Sequence, residues 1–122
     1  MTPQTPNVQR RCVFCRIVSG EAAAEILYQD DLVTAFRDTH PQAPTHILIV
    51  PNRHIRAVAA LNPEEAELMS RMIIVANHLA SQEGIAQSGY RLVINNGPQA
   101  GQSIYHLHLH LLGGRRMSWP PG

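Results

Sequence analysis

The sequence lacks long hydrophobic runs, a marked excess of charge and all but two cysteines. Its longest apolar runs, ILIV and MIIVA, are too short to cross a bilayer, and the N-terminal stretch MTPQTPNVQRR has no apolar segment typical of a secretory signal. The formal net charge of +1 gives no overall electrostatic basis for binding nucleic acid. We therefore expect a soluble, cytoplasmic protein with neither a membrane nor a nucleic acid as partner.

The length and composition are those of one globular domain. The chain has 122 residues, of which 44% are apolar, which is enough to bury a core without disulfides. Residues 1–10 are polar and contain proline. We predict a flexible N-terminal lead over residues 1–10 and a single domain over residues 11–122.

The pattern along the chain predicts an α+β fold with a mostly antiparallel sheet. AEILYQ and LVTAFR indicate a hairpin around DD, and the other predicted strands are HILIVP, YRLVIN and IYHLHLHLL. CVFCRIVSGE predicts a short helical turn ending at Gly20. A long helix is predicted from Pro63 to Glu83, with Asn62 as N-cap and Gly84 as stop. Its wide apolar arc fits either one core face or a dimer surface.

Three histidines alternate with leucines in HLHLHLL, at positions 106, 108 and 110. On a strand, alternate side chains share a face, so the histidines would point one way and the leucines into the core. An ordinary structural role explains one such histidine more readily than three. The alternatives are a metal site and a nucleophilic histidine with helpers.

The loop just before these histidines, NNGPQAGQS, has the features of a phosphate cradle. Gly97 and Gly101 allow backbone N–H groups to approach a phosphate closely, and Asn95, Gln102 and Ser103 add side-chain donors.

The two cysteines, Cys12 and Cys15, have CxxC spacing. In a cytosolic chain this spacing favours metal or redox chemistry over a structural disulfide, although two isolated thiols are the simpler interpretation.

HLHLHLL fits the pattern His-φ-His-φ-His-φ-φ, where φ is apolar, and here the chain resembles the histidine triad (HIT) family. FCRIVSGE, DTHPQAPTHILIVP and GQSIYHLHLHLLGGRRMSWPPG resemble its nucleotide-binding proteins, in the purine nucleoside phosphoramidase branch. GQS and WPPG are typical of that branch, and only about residues 1–10 fall outside the resemblance.

The resemblance implies the HIT fold, an antiparallel five-stranded sheet with one long and one short helix. It also implies a homodimer in which two sheets join into one continuous ten-stranded sheet. Trp119 would then reach toward the partner's active site, and the apolar arc of the long helix would be used at the seam.

The activity implied is hydrolysis of the P–N bond of purine nucleoside 5'-phosphoramidates, with adenosine preferred. The reaction would pass through a nucleotidyl-histidine and release AMP or GMP, with no cofactor required for catalysis. Two alternatives remain open. One is an AMP-binding regulatory interaction protein with incidental turnover, and the other is a zinc-binding protein.

The resemblance also implies roles for single residues. His108 would be the nucleophile, His110 would contact the phosphate, His46 would hold the catalytic tautomer, and Ser103 would help to protonate the leaving amine. The remaining nucleotide contacts would come from Asn95, Gly101 and Gln102 at the phosphate, Asp38 at the ribose, and Phe14, Ile17 and Thr39 at the purine. Phe14 and Ile17 fit a core role equally well. A structural zinc would be held by Cys12, Cys15, His54 and His106.

Overall fold

One five-stranded antiparallel sheet forms the centre of the structure, a computed structural model that describes residues 7–122. The strand order is β1-β2-β3-β5-β4, and every neighbouring pair is antiparallel. The strands are β1 (Ile26–Gln29), β2 (Val33–Arg37), β3 (Thr45–Pro51), β4 (Tyr90–Val93) and β5 (Leu109–Gly113), and the helices are α1 (Asn7–Arg11), α2 (Val13–Val18) and α3 (Ala66–Gln82). This confirms the predicted α+β fold, with one long helix.

The predicted element boundaries follow from local chemistry. Asp30 closes the β1–β2 hairpin by accepting the N–H groups of Leu32 and Val33 on Oδ1, each at 2.8 Å. Gly20 and Gly84 follow α2 and α3 with φ of +84° and +76°, a left-handed conformation that favours glycine. The predicted long helix starts with a 3-10 turn over Pro63–Glu65 before it becomes α-helical.

The two faces of the sheet carry different helices. α3 packs on one face, where its buried residues Met72, Val75 and Leu79 join a core that includes Ile47, Ile49, Leu107, Leu109 and Leu111. α2 covers part of the other face through Phe14 and Ile17, which pack on Phe36, Leu48 and Val50. Leu107, Leu109 and Leu111 therefore lie under the long helix as predicted. The alternation of side chains puts His110 on the α2 face.

The last strand is shorter than predicted. Sequence alternation indicated a strand from Ile104 to Leu112, but β5 begins at Leu109. Leu107 donates its N–H to the carbonyl of Ile55 at 2.7 Å, outside the sheet ladder, because the chain bends through residues 104–106. His106 and His108 thus precede the strand, and only His110 lies on it.

The N-terminal segment falls partly outside the described residues. Residues 7–10 of the predicted lead belong to α1 and are helical, while residues 1–6 lie outside the description. Among residues 7–122, no helix has both the length and the apolar character needed to cross a membrane.

Candidate active site and metal centre

A pocket of about 470 Å³ opens on the α2 face of the sheet. Its walls include many of the residues predicted to contact a nucleotide, namely Phe14, Ile17, Asp38, Thr39, His46, Ser103 and His110. Phe36, Leu48 and Ile104 also line it, and no motif had singled them out. Phe14 and Ile17 are buried core residues as well as wall residues of this pocket.

His46 and His110 form a hydrogen-bonded chain whose protons can be placed. The backbone N–H of Gln42 donates to His46 Nδ1 at 3.0 Å, so neutral His46 carries its hydrogen on Nε2. That Nε2 lies 2.9 Å from His110 Nδ1 and donates to it. Neutral His110 must then carry its hydrogen on Nε2, an atom that is buried and has no hydrogen-bond partner among residues 7–122. His110 therefore offers an N–H donor to a ligand.

His108 has the opposite tautomer. Its Nδ1 lies 2.7 Å from the carbonyl oxygen of His106, which can only accept, so Nδ1 carries the hydrogen. The lone pair is left on Nε2, which is the form needed for a nucleophile. The ring is 7% exposed and is fixed between Phe14 and His110, with ring centroids at 5.2 and 4.9 Å.

The surroundings of His46 and His110 keep both rings neutral near pH 7. Burial lowers the pKa of His110 to about 4, and the neighbouring rings of His108 and His46 act in the same direction. Burial also lowers the pKa of His46, although Asp38, whose Oδ2 is 3.5 Å from His46 Nε2, opposes the shift.

These shifts predict a loss of stability in acid. The unfolded chain binds a proton at His110 near pH 6.5 and the folded chain only near pH 4. The contribution of neutral His110 to the free energy of unfolding is therefore complete above pH 6.5. It is lost as the pH falls through about 4, and the full loss is about 3 kcal/mol. We expect urea unfolding of wild type to weaken more between pH 7 and pH 4.5 than that of His110→Gln. Equal losses in the two proteins would contradict the assignment.

The glycine-rich loop before β5 differs in part from its prediction. Gly97 and Gly101 adopt φ of +87° and +84°, as an irregular cradle requires. Gln102, however, is buried and uses its side chain within the protein: Oε1 accepts from Gly97 N–H at 2.9 Å, and Nε2 donates to the carbonyls of Arg56 and Ile104 at 3.0 and 3.2 Å. Its side chain braces the loop instead of pointing donors at the pocket.

Of the other three residues predicted to contact the nucleotide, one lines the pocket and two do not. Ser103 is exposed on its rim. Asn95 is half-buried in the loop after β4 and does not line the pocket. Trp119 is 81% exposed near the C-terminus and does not line it either.

The four predicted metal ligands converge next to this pocket. Cys12, Cys15, His54 and His106 each place one ligand atom so that all four atoms lie within 4.8 Å of one another. His106 Nδ1 is 3.3 Å from Cys12 Sγ and 3.5 Å from Cys15 Sγ, and His54 Nδ1 is 3.3 Å from Cys15 Sγ. The donor set of two thiols and two imidazoles is one that zinc prefers.

Secondary contacts orient these ligands. His106 Nε2 donates to the carbonyl oxygen of Pro51 at 2.9 Å, so the hydrogen of the neutral ring is on Nε2. The lone pair of Nδ1 then faces the two thiols. Cys12 also caps α2 by accepting the N–H of Cys15. Burial raises the pKa of the Cys15 thiol to about 12, so a thiolate there needs a cation beside it.

Asp38, His46 and His110 also bring ligand atoms within 4.8 Å of one another. Two of these atoms are already joined by the His46–His110 hydrogen bond, so the set is better described as part of the histidine chain.

Known proteins match both the sequence and the fold. Residues 19–117 match the HIT domain family. The chain belongs to the HIT domain family. It is 54% identical over 103 residues to the purine nucleoside phosphoramidase of Escherichia coli, covering 84% of this chain and 87% of that protein.

Solved structures of HIT proteins superpose closely on this one. A HIT family hydrolase from Legionella pneumophila is 49% identical, with a TM-score of 0.90 over 92% of this chain and 100% of its own. A Zn-bound histidine triad family protein from Mycobacterium smegmatis is 31% identical, with a TM-score of 0.77 over 88% and 77% of the two chains.

Proposed function

We propose that this HIT protein hydrolyses the P–N bond of purine nucleoside 5'-phosphoramidates and releases the nucleoside monophosphate. The observation that carries the proposal is the pairing of two opposite tautomers at the α2 face. His108 has a lone pair on Nε2, and neighbouring His110 has an N–H on Nε2 that no group in the described part of the chain accepts. A nucleophile beside a donor for the phosphate oxygens is what phosphoryl transfer requires. Similarity to the Escherichia coli purine nucleoside phosphoramidase supports the choice of substrate.

The reaction proceeds in two displacements. His108 Nε2 forms a bond to phosphorus while the bond from phosphorus to the amine nitrogen breaks, and the departing nitrogen takes a proton supplied through the Ser103 hydroxyl. Water then attacks phosphorus, the bond to Nε2 breaks, and the monophosphate leaves with one proton returned to solvent. His110 Nε2–H donates to a phosphate oxygen in both steps, and His46 keeps that hydrogen in place.

The pocket walls fit a nucleoside. In our proposal the purine lies among Phe14, Ile17 and Thr39, and the Asp38 carboxylate accepts from the ribose hydroxyls. We expect adenosine to be preferred over guanosine. Gly101 and the braced loop would approach the phosphate through backbone groups, since the side chain of Gln102 is already bonded within the protein.

The proposal is tested by incubating the protein with adenosine 5'-phosphoramidate and measuring AMP and ammonia together. We expect equal amounts of both products, and an acid-labile AMP adduct on the protein after rapid quenching. Tight AMP binding by calorimetry without release of product would contradict the proposal and favour an AMP-binding regulatory protein.

In this proposal the ring of Phe14 positions the ring of His108, so replacing Phe14 by a smaller side chain should slow the chemical step. The edge contact between the two rings contributes about 0.5–1.5 kcal/mol. Phe14→Leu should therefore lower kcat by roughly 2- to 10-fold. Phe36→Leu is the matched control, because Phe36 touches Phe14 but neither histidine ring is among its aromatic contacts. An equal fall of kcat in both variants would contradict a positioning role.

We also propose that Cys12, Cys15, His54 and His106 bind one structural zinc ion. Four protein ligands complete a tetrahedral shell, so no position stays open for a substrate or a reactive water. The ion would fasten α2 to the loops that follow β3 and precede β5. Catalysis is assigned to histidines outside this set, and we expect chelated protein that is still folded to remain active.

The predicted homodimer forms part of the same proposal. Ile74 on α3 is 62% exposed and Ile73 is 41% exposed, which leaves an apolar strip beside the buried face of the helix. We propose that this strip and Trp119 contribute to the seam between two copies. Sedimentation at micromolar concentration should show a dimer, and a monomer would defeat the proposal. A cytoplasmic location stays a prediction.

A further inference from the structure

The chain after β5 packs against the loop that joins β2 to β3, residues 38–44. Gly114 lies so close to Pro44 that a Cβ on Gly114 would be 2.9 Å from the Cβ of Pro44, so a larger residue would force the two segments apart. Arg115 follows and donates its Nε–H to the carbonyl oxygen of Gln42 at 3.0 Å. Neither Gly114 nor Arg115 takes part in the two displacements proposed for the reaction.

The β2–β3 loop has little support from its own backbone. It is irregular, and within residues 7–122 no backbone-to-backbone hydrogen bond involves residues 39–44. Asp38 Oδ1 accepts the N–H of His40 at 2.8 Å, and Gln42 Nε2 donates to the carbonyl oxygen of His40 at 3.0 Å, but both of these bonds stay within the loop. The bond from Arg115 joins the loop to the end of β5, 73 residues further along the chain than Gln42.

Gln42 is the residue through which the loop meets the histidine chain. Its N–H donates to His46 Nδ1 at 3.0 Å, while its carbonyl oxygen accepts from Arg115. The guanidinium is itself fixed by a second bond, from Nη1 to the carbonyl oxygen of Arg116 at 3.0 Å. Because the carbonyl of Gln42 is held, its N–H keeps the direction that His46 requires. Arg115 thus acts on His46 through one backbone residue.

Loss of the Gln42 N–H from His46 would allow the histidine chain to reverse. The Nδ1 of neutral His46 could then carry the hydrogen, and its Nε2 would become an acceptor. His110 would donate to that acceptor from Nδ1, which leaves a lone pair on His110 Nε2. Each ring keeps one hydrogen, so the reversal needs no change of charge. A lone pair on His110 Nε2 repels a phosphate oxygen, whereas an N–H there binds it.

We infer that Arg115 is a positioning residue for the proposed reaction: by holding the carbonyl of Gln42, it selects the tautomer in which His110 donates to the phosphate. Arg115 is exposed and does not line the nucleoside pocket, so its effect is exerted through the loop. The inference rests on the proposed phosphoramidase function for its effect on the rate. Its effect on the two histidine rings can be measured without any substrate.

Arg115→Met tests the effect on the rate. Methionine removes the donor and keeps an unbranched side chain. We expect kcat for adenosine 5'-phosphoramidate to fall by about fivefold or more, because a hydrogen bond from a charged group is lost. The Kd of adenosine, which has no phosphate, should stay close to that of wild type, because Phe14, Ile17 and Thr39 are unaltered.

Two further variants isolate the hydrogen bond. Arg115→Gln places an amide N–H as far along the side chain as Nε of arginine, without the charge, so it should restore much of kcat. Arg116→Met removes the same charge from the neighbouring exposed residue, whose contact with Arg115 is through its backbone carbonyl, and it should turn over like wild type. An unchanged kcat in Arg115→Met, or equal falls in Arg115→Met and Arg116→Met, would overturn the inference.

The nitrogen NMR signals of the histidine rings give a readout that a merely structural role would not change. Ring nitrogens with and without a hydrogen have well-separated chemical shifts. Spectra of wild type should show the hydrogen on Nε2 in His46 and His110 and on Nδ1 in His108. In Arg115→Met, His46 and His110 should move together toward the form with the hydrogen on Nδ1, while His108 stays as it is. Wild-type spectra from Arg115→Met would overturn the inference whatever its kcat.

This readout also separates the inference from the proposed function. If wild type does not hydrolyse adenosine 5'-phosphoramidate, the proposed function fails, and the spectra alone judge the role of Arg115. A change at His46 and His110 in Arg115→Met but not in Arg116→Met would then support the inference, and identical spectra would overturn it. If wild type is active and Arg115→Met keeps both its kcat and its spectra, the inference alone is overturned.

Discussion

His108→Ala is expected to lower the turnover of adenosine 5'-phosphoramidate by at least about 10⁴-fold. Removal of a nucleophile that forms the covalent intermediate costs several orders of magnitude, and the residual rate comes from binding and from the remaining phosphate donors. The measurement is single-turnover release of AMP under saturating enzyme, which reports the chemical step without product release. The variant should also lose the acid-labile AMP adduct.

Two comparisons make this result specific to His108. His78→Ala changes an exposed histidine on α3 and should turn over like wild type. AMP should still bind His108→Ala, because the pocket walls come from other residues. Retention of more than a tenth of wild-type activity by His108→Ala would mean that another group attacks phosphorus.

Loss of the proposed zinc ion is expected to lower Tm by roughly 10–20 °C. An ion present at 1,000 times its Kd stabilises the fold by about 4 kcal/mol, and each kcal/mol shifts Tm of a chain this size by several degrees. His54→Asn removes one of the four ligands without touching the histidine chain. Metal analysis should give one zinc per wild-type chain and much less for this variant.

The control is His78→Asn, the same substitution at an exposed site without neighbouring thiols. It should keep both the metal and the Tm. Chelator should lower Tm in wild type and in His78→Asn but should have little further effect on His54→Asn. Unchanged Tm and no bound zinc in untreated wild type would show that the four groups are simply packed side chains.

The element order and the core face under α3 could be predicted because the sequence states them locally. The period of α3, its Asn-Pro start and Gly84 stop are features of single segments, and so is the leucine alternation that faces α3. The four proposed metal ligands and the proposed histidine roles came from resemblance to the HIT family, and the structure places the four metal-ligand candidates close together and joins His46 to His110.

The finer chemistry depends on contacts between distant segments, which no local pattern contains. The hydrogen of His46 is accepted by His110, 64 residues away in sequence, and the tautomer of His106 is set by the carbonyl of Pro51, 55 residues away. The alternation of HLHLHLL also suggested one uniform strand. It hides the bend that turns His106 toward the thiols, while His108 lies against Phe14 and only His110 of the three lines the pocket.

The short helix α2 has a consequence for where the functional unit begins. Its single CVFC turn contains two of the four proposed metal ligands, and between them lies Phe14, whose ring centroid is 5.8 and 5.2 Å from those of His106 and His108. The match to the HIT domain family starts at residue 19, after this turn. A fragment cut to residues 19–117 would keep every histidine of HLHLHLL, yet it would lack two of the four proposed metal ligands and part of the wall of the proposed nucleoside pocket. The minimal catalytic unit is therefore longer than the stretch by which its family is recognised.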